Sequence, residues 1–236
     1  MMKNPIYYFG VEVELTTSFA KLEQLLNLLI KHKDILLAND ENPHYLFRDP
    51  SIIPTGIFEL GYEIKTKKLR VSKTNELKVE RLIVDLNNLV TSNDTCSIHI
   101  HYSRKGADLK DHYMTLYEFL KCGYDSKYRA LLGHSMDNSN YADYSRCRQK
   151  YYYSINRQIK SKGQYLVDDT YDSKELLYTV STIYNTIEYR GMRHHFENKL
   201  PIRIITKRLF DVLHTFMSID LEALRIKYKD VFVIED

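Results

Sequence analysis

Cys96 to Ser103 reads C-S-I-H-I-H-Y-S, and this stretch decides the fold. Its polar residues alternate with isoleucine and tyrosine, the pattern of a strand whose successive side chains take opposite faces. His99 and His101 therefore point the same way, with Cβ atoms roughly 7 Å apart. Ile98, Ile100 and Tyr102 take the other side. Two imidazoles opposite an apolar face predict a central strand that lines a pocket.

Working outward, the same polar i, i+2 device recurs. Tyr7 to Leu15 (Y-Y-F-G-V-E-V-E-L) puts Glu12 and Glu14 on one face and Val11, Val13 and Leu15 on the other, and Thr186 to Met192 does the same with Glu188 and Arg190. Gly56 to Leu69 is a further strand pattern, with Glu59, Gly61, Glu63 and Lys65 sharing a face. Leu176 to Thr182 and Thr186 to Met192 read as a hairpin turning at Tyr184 and Asn185.

Between these strands lie helical patterns. One is capped at Thr16 to Ser18 and runs to about Leu37 through Leu22, Leu25, Leu26, Leu29 and Ile30; others cover Glu76 to Val90, Leu109 to Leu120 and Lys127 to His134. A C-terminal helix starts near Pro201 and reaches about Leu224. Tyr151 to Ile159 reads as strand, its three tyrosines serving packing; Asn39 to Pro43, Met136 to Arg148 and Lys162 to Asp172 read as loops. Strands outnumber clear crossovers, so the expected class is α+β, a mostly antiparallel sheet with helices on one face, in a single domain over residues 1–236.

With 44% hydrophobic and 28% charged residues in 236, the chain can bury a sizeable core, and disorder is excluded. A net charge of +3, with Lys and Arg scattered, gives no sign of a dedicated nucleic-acid binder. Cys96, Cys122 and Cys147 are odd in number and widely spaced, which supports neither a disulfide framework nor a Cys-rich zinc site. The first residues lack a secretory h-region and no apolar run reaches membrane-spanning length, so the expectation is a cytoplasmic protein without membrane association. Oligomeric state is not legible.

Taken singly, each polar pair is also compatible with a solvated strand face. Convergence changes the chemistry, because two carboxylates about 7 Å apart at an effective dielectric near 20 repel by roughly 2 kcal/mol. Protons or a cation must intervene. An oxygen-rich set with one imidazole suits Mg²⁺ or Mn²⁺, and Arg190 would serve an anion such as phosphate. No Gly-rich phosphate loop is present.

The ordered set F-G-V-E-V-E (Phe9–Glu14), R-D-P-S-I (Arg48–Ile52) with G-Y-E-I-K-T (Gly61–Thr66), S-I-H-I-H-Y-S (Ser97–Ser103) and T-I-E-Y-R (Thr186–Arg190) resembles the amidoligase family, relatives of glutamine synthetase and glutamate–cysteine ligase. It extends over about residues 7–196. The resemblance implies a curved antiparallel sheet like the glutamine synthetase catalytic domain, ATP and Mg²⁺ (or Mn²⁺) as cofactors, and a ligase joining a small-molecule or peptide carboxylate to an amine through an acyl phosphate.

Carried over by motif, Glu12, Glu14, Asp49, Glu63, His99 and Glu188 would ligate metal, with Glu59 the alternative to Asp49. His99, His101, Ser103 and Arg190 would contact the nucleotide, and Glu12, Glu63 and Arg190 would serve catalysis. The chain departs from the family's pattern after Glu63, reading K-T-K-K-L where relatives commonly have a small residue and proline. Arg146, Arg148 and Asn156 match only loosely, and His194 and His195 either line the nucleotide site or sit at a surface turn.

Two other classes remain open at this point. A zinc hydrolase would use His99, His101 and a Glu to activate water. A non-catalytic binding protein would offer the polar face to a partner.

Overall fold

In a computed structural model, residues 5–38, 44–57, 59–93, 95–124, 144–167, 176–193 and 202–234 are described. The class is mixed α and β, with an open sheet whose pairings are mostly antiparallel. The chain forms two compact units, each assembled from separated stretches: Tyr8–Ile100 with Met192–Phe210, and Met1–Tyr7 with His101–Gly191 and Asp211–Asp236.

The first unit is built on β1 (Tyr7–Ser18), which enters it at Tyr8. Phe9, Val11, Val13 and Leu15 are fully buried on one face, the alternation expected from the sequence. β1 pairs antiparallel with β3 (Glu59–Lys65), setting Glu12 opposite Lys65 and Glu14 opposite Glu63. The short β2 (Phe47–Arg48) pairs with β3, and β4 (Leu69–Arg70) pairs with β1. On the other side of β1 lies the first half of β5 (Ser97–Arg104). The helices α1 (Phe19–Lys31) and α2 (Lys73–Asn87) pack together, burying Leu25, Leu29, Val79, Leu82, Ile83 and Leu86.

The second unit takes the remainder of β5 beside the hairpin of β7 (Tyr178–Ser181) and β8 (Thr186–Arg193). Its core is aromatic. Phe119, on α3 (Leu109–Lys121), stacks on Phe216 at 4.4 Å and meets Tyr178 at 5.1 Å, and Tyr178 stacks on Tyr189 at 5.1 Å. Such ring pairs add directional attraction to the burial of large apolar area. A small parallel ladder joins β6 (Tyr165–Leu166) to β9 (Phe232–Val233).

Several boundaries differ from the sequence reading. Ser18 is the N-cap of α1, without a side-chain hydrogen bond, while Thr16 to Ser18 stay in β1, paired with Gly61, Leu60 and Glu59; α1 ends at Lys31, six residues before Leu37. Gly56–Leu69 is not one strand, because β3 stops at Lys65 and Thr66 turns to bridge Leu36. Tyr151 to Ile159 is helical: α4 (Tyr144–Arg148) runs into a π-helical turn over Gln149–Ser154 and on into α5 (Ile155–Lys162). Cys147, Tyr151 and Ile155 are all buried at a spacing of four, the period of a helix face. The C-terminal helix is divided into α6 (Ile202–Met217) and α7 (Leu221–Lys227), because the Asp220 carboxylate accepts from the amides of Glu222 and Ala223 and starts a new helix. The proposed helix Lys127–His134, His194, His195 and most of the loop readings lie outside the described residues.

Candidate functional site

In the first unit, the β1–β3 register produces a two-by-two block of side chains on one face: Glu12 beside Glu14 on β1, Lys65 beside Glu63 on β3. Glu14 and Glu63 are buried, Glu12 nearly so. The Lys65 ammonium lies 2.7 Å from Glu63 Oε2 and 3.2 Å from Glu12 Oε1, and its Nζ stands 5.9 Å from the centre of the Phe47 ring.

β5 supplies the donors. The Ser97 amide donates to Glu14 Oε2 at 2.8 Å, and the Ser97 hydroxyl donates to the same oxygen at 2.6 Å. Ser97 Oγ also meets His99 Nε2. The other ring nitrogen, Nδ1, lies 3.5 Å from Glu12 Oε2. The imidazole thus spans the two β1 carboxylates, as the shared face of His99 and Glu12/Glu14 requires.

Asp49 joins from the segment after β2. Its Oδ1 accepts from the Ser51 amide (2.8 Å) and hydroxyl (2.6 Å), which fixes the carboxylate over the sheet. Glu59 does not join; its Oε2 accepts from Gly56 N at 3.2 Å on the exposed side. Ligand atoms of Glu12, Glu63 and His99 lie within 4.8 Å of one another, and so do those of Glu14, Asp49 and Glu63. Burial, and next the charge of Glu12, push the Glu63 carboxyl up to about 7, against the pull of Lys65 and His99.

In the second unit, His101 Nδ1 is 3.1 Å from Thr186 Oγ1 and the ring meets Tyr184 edge-on at 5.4 Å. Glu188 Oε1 lies 4.0 Å from His101 Nε2. Arg190 Nη2 donates to Glu188 Oε2 at 2.9 Å and forms an ion pair with Oε1 at 2.8 Å. The Glu188–Arg190 pair, predicted as a metal ligand and a phosphate ligand, is therefore an internal ion pair. Ser103 is buried on the same face of β5 as His101.

Of the expected ligands, Glu12, Glu14, Asp49, Glu63 and His99 are brought together in one unit, and His101, Glu188 and Arg190 in the other. Ser97, like Lys65 and Ser51, takes part without a role in the sequence reading. Alternation along β5 places it two residues from His99 on the same face, the one signal that could have found it.

Comparison of the chain with protein-family models, curated proteins and solved structures gives no match. Among the described residues, no helix is long and apolar enough to cross a membrane.

Proposed function

We propose that the protein is an ATP-dependent carboxylate–amine ligase that uses a divalent cation held on the β1–β3 carboxylates. The observation that carries this reading is the convergence of Glu14, Asp49 and Glu63, and of Glu12, Glu63 and His99, with ligand atoms within 4.8 Å. An oxygen-rich set with a single imidazole fits Mg²⁺ or Mn²⁺ better than zinc. His99 groups here with carboxylates, which also weighs against the zinc hydrolase.

The bound cation would neutralise and align the nucleotide's phosphates. In such a ligase a substrate carboxylate would take the γ-phosphoryl group with release of ADP, and an amine would then displace phosphate from the acyl carbon, giving up a proton to a base. The chain's own contribution is positional. Ser97 orients Glu14 and Ser51 orients Asp49, so these ligand oxygens are fixed before the cation arrives. Arg190, by resemblance, would stabilise charge on the transferred phosphoryl group, exchanging part of its pairing with Glu188.

Calorimetric titration with ATP plus Mg²⁺, ATP plus EDTA, and Zn²⁺ alone tests the reading. Mg²⁺-dependent ATP binding that is lost in Glu14→Gln is the expected result. ATP binding untouched by EDTA, or Zn²⁺ binding without any nucleotide binding, sinks it.

A further inference from the structure

The charge in the carboxylate block is already partly compensated, and by a residue of the block itself. Lys65 faces Glu12 across the β1–β3 ladder and neighbours Glu63 one pleat along its own strand, so its ammonium lies between the two carboxylates at 3.2 and 2.7 Å. The same two carboxylates belong to the Glu12–Glu63–His99 grouping. A divalent ion there would meet a fixed positive charge within a few ångströms, and that charge is tethered to the strand and cannot diffuse away. The Phe47 ring beside Nζ and the limited exposure of the lysine side chain, 21%, favour the ammonium staying where it is.

The Glu14–Asp49–Glu63 corner is built differently. Glu14 and Asp49 are held by neutral donors, the Ser97 and Ser51 amides and hydroxyls. These orient lone pairs without neutralising the carboxylates. Lys65 bridges both carboxylates of the first corner, whereas in the second it reaches Glu63 while Glu14 and Asp49 are held by neutral donors.

We propose that Lys65 replaces a divalent ion between Glu12 and Glu63, leaving this carboxylate block one divalent-cation position, at Glu14, Asp49 and Glu63. This rests on the metal-dependent reading above and makes it narrower. A site with one mobile divalent ion and one covalently attached ammonium keeps one of its three positive charges when divalent metal is scarce.

The test is Mn²⁺ binding to the full chain without nucleotide, followed by the loss of the free-ion paramagnetic resonance signal, for wild type, Lys65→Met and Lys65→Arg, with thermal unfolding of each. Wild type and Lys65→Arg are expected to bind one Mn²⁺ and Lys65→Met two. Should Lys65→Met fail to fold, Lys65→Gln decides instead and is likewise expected to bind two Mn²⁺. Two Mn²⁺ in wild type, or no gain in a folded Lys65→Met or Lys65→Gln, would overturn the Lys65 inference and leave the metal reading standing. No Mn²⁺ bound by wild type would remove both.

Discussion

Gly61 faces Ile52 so closely that a Cβ on Gly61 would lie 2.5 Å from Ile52 Cβ and 2.8 Å from Ile52 O. The absence of a side chain at this point of β3 lets the Asp49–Ile53 segment lie across the strand, where the Asp49 amide reaches Gly61 O at 3.4 Å. The segment is tied on its far side as well: Ile53 N donates to Thr95 Oγ1 and Asn93 Nδ2 donates to Ile53 O. Asp49 owes its place in the carboxylate cluster to a glycine twelve residues away in sequence.

Gly61→Ala is therefore expected to destabilise the protein by about 2–3 kcal/mol through overpacking and to weaken divalent-cation binding by displacing Asp49. Adding Ile52→Ala should restore little of the loss, because the Cβ and the carbonyl of residue 52 both remain in the way. Urea unfolding and Mn²⁺ titration measure the two effects. A Gly61→Ala chain with wild-type stability would refute the close approach.

Ser97→Ala removes the 2.6 Å hydroxyl donor to Glu14 while leaving the backbone amide bond to the same oxygen. Losing a buried hydrogen bond to a charged acceptor is expected to cost about 1.5–3 kcal/mol in the metal-free protein. Mn²⁺ affinity should fall by about tenfold, the effect of releasing a ligand from its orienting partner. Unchanged affinity in a destabilised variant would mean that the strand backbone alone orients Glu14.

Much of this was legible because strands have an exact period of two. The burial of Phe9, Val11, Val13 and Leu15 with Glu12 and Glu14 on the other face, and the sharing of one face of β5 by His99 and His101, follow from alternation. The α3 boundaries, Leu109–Lys121, follow from its apolar periodicity and the Asp108–Asp111 capping box. Tyr151 to Tyr153 misled because β-propensity in aromatic residues is a statement about packing, and here the packing surface is a helix. The pairing of Lys65 with Glu12, and of Asp49 with Glu63, depends on strand register and on a loop crossing a glycine, and neither leaves a local pattern in the sequence.

Asp111 carries a different stabilising centre, in the second unit. It is buried at the start of α3, exchanges hydrogen bonds with Asp108 in the capping box, and receives Arg225 in bidentate form, Nε at 3.0 Å and Nη2 at 2.6 Å. Burial raises its pKa, but the hydrogen bonds from Arg225 and the Asp108 amide outweigh that and leave it below the usual carboxylate value. A depressed carboxylate contributes stability above its unfolded pKa of about 3.9, lost as pH falls through the folded value. Asp111→Ala should cost about 3 kcal/mol at neutral pH, and Arg225→Ala about 1–2, since that side chain is 40% exposed and water replaces part of the contact. Arg225→Lys should recover little, because an ammonium cannot bridge both oxygens. Equal stability of the Lys variant and wild type in urea would show that charge alone matters here.

Glu63 sets the opposite pH dependence. Its carboxyl is raised from 4.5 to about 7, first by burial and then by the neighbouring Glu12 charge. A raised carboxylate contributes its full stability below the unfolded pKa and loses it as pH climbs through the folded one, so the metal-free protein should weaken between about pH 4.5 and 7. The size of this term, at about 1.4 kcal/mol per pKa unit, is of the order of 3 kcal/mol. Glu63→Gln removes the ionisation and keeps the shape. Its stability should match wild type near pH 4.5 and exceed it by up to about 3 kcal/mol above pH 7. Mn²⁺ should reverse the order at pH 7.5, because the cation needs the carboxylate that the apo fold disfavours. Chemical denaturation across this pH range, with EDTA and then with Mn²⁺, reads both effects, and parallel wild-type and variant profiles would show that Glu63 ionises as freely in the folded chain as in water.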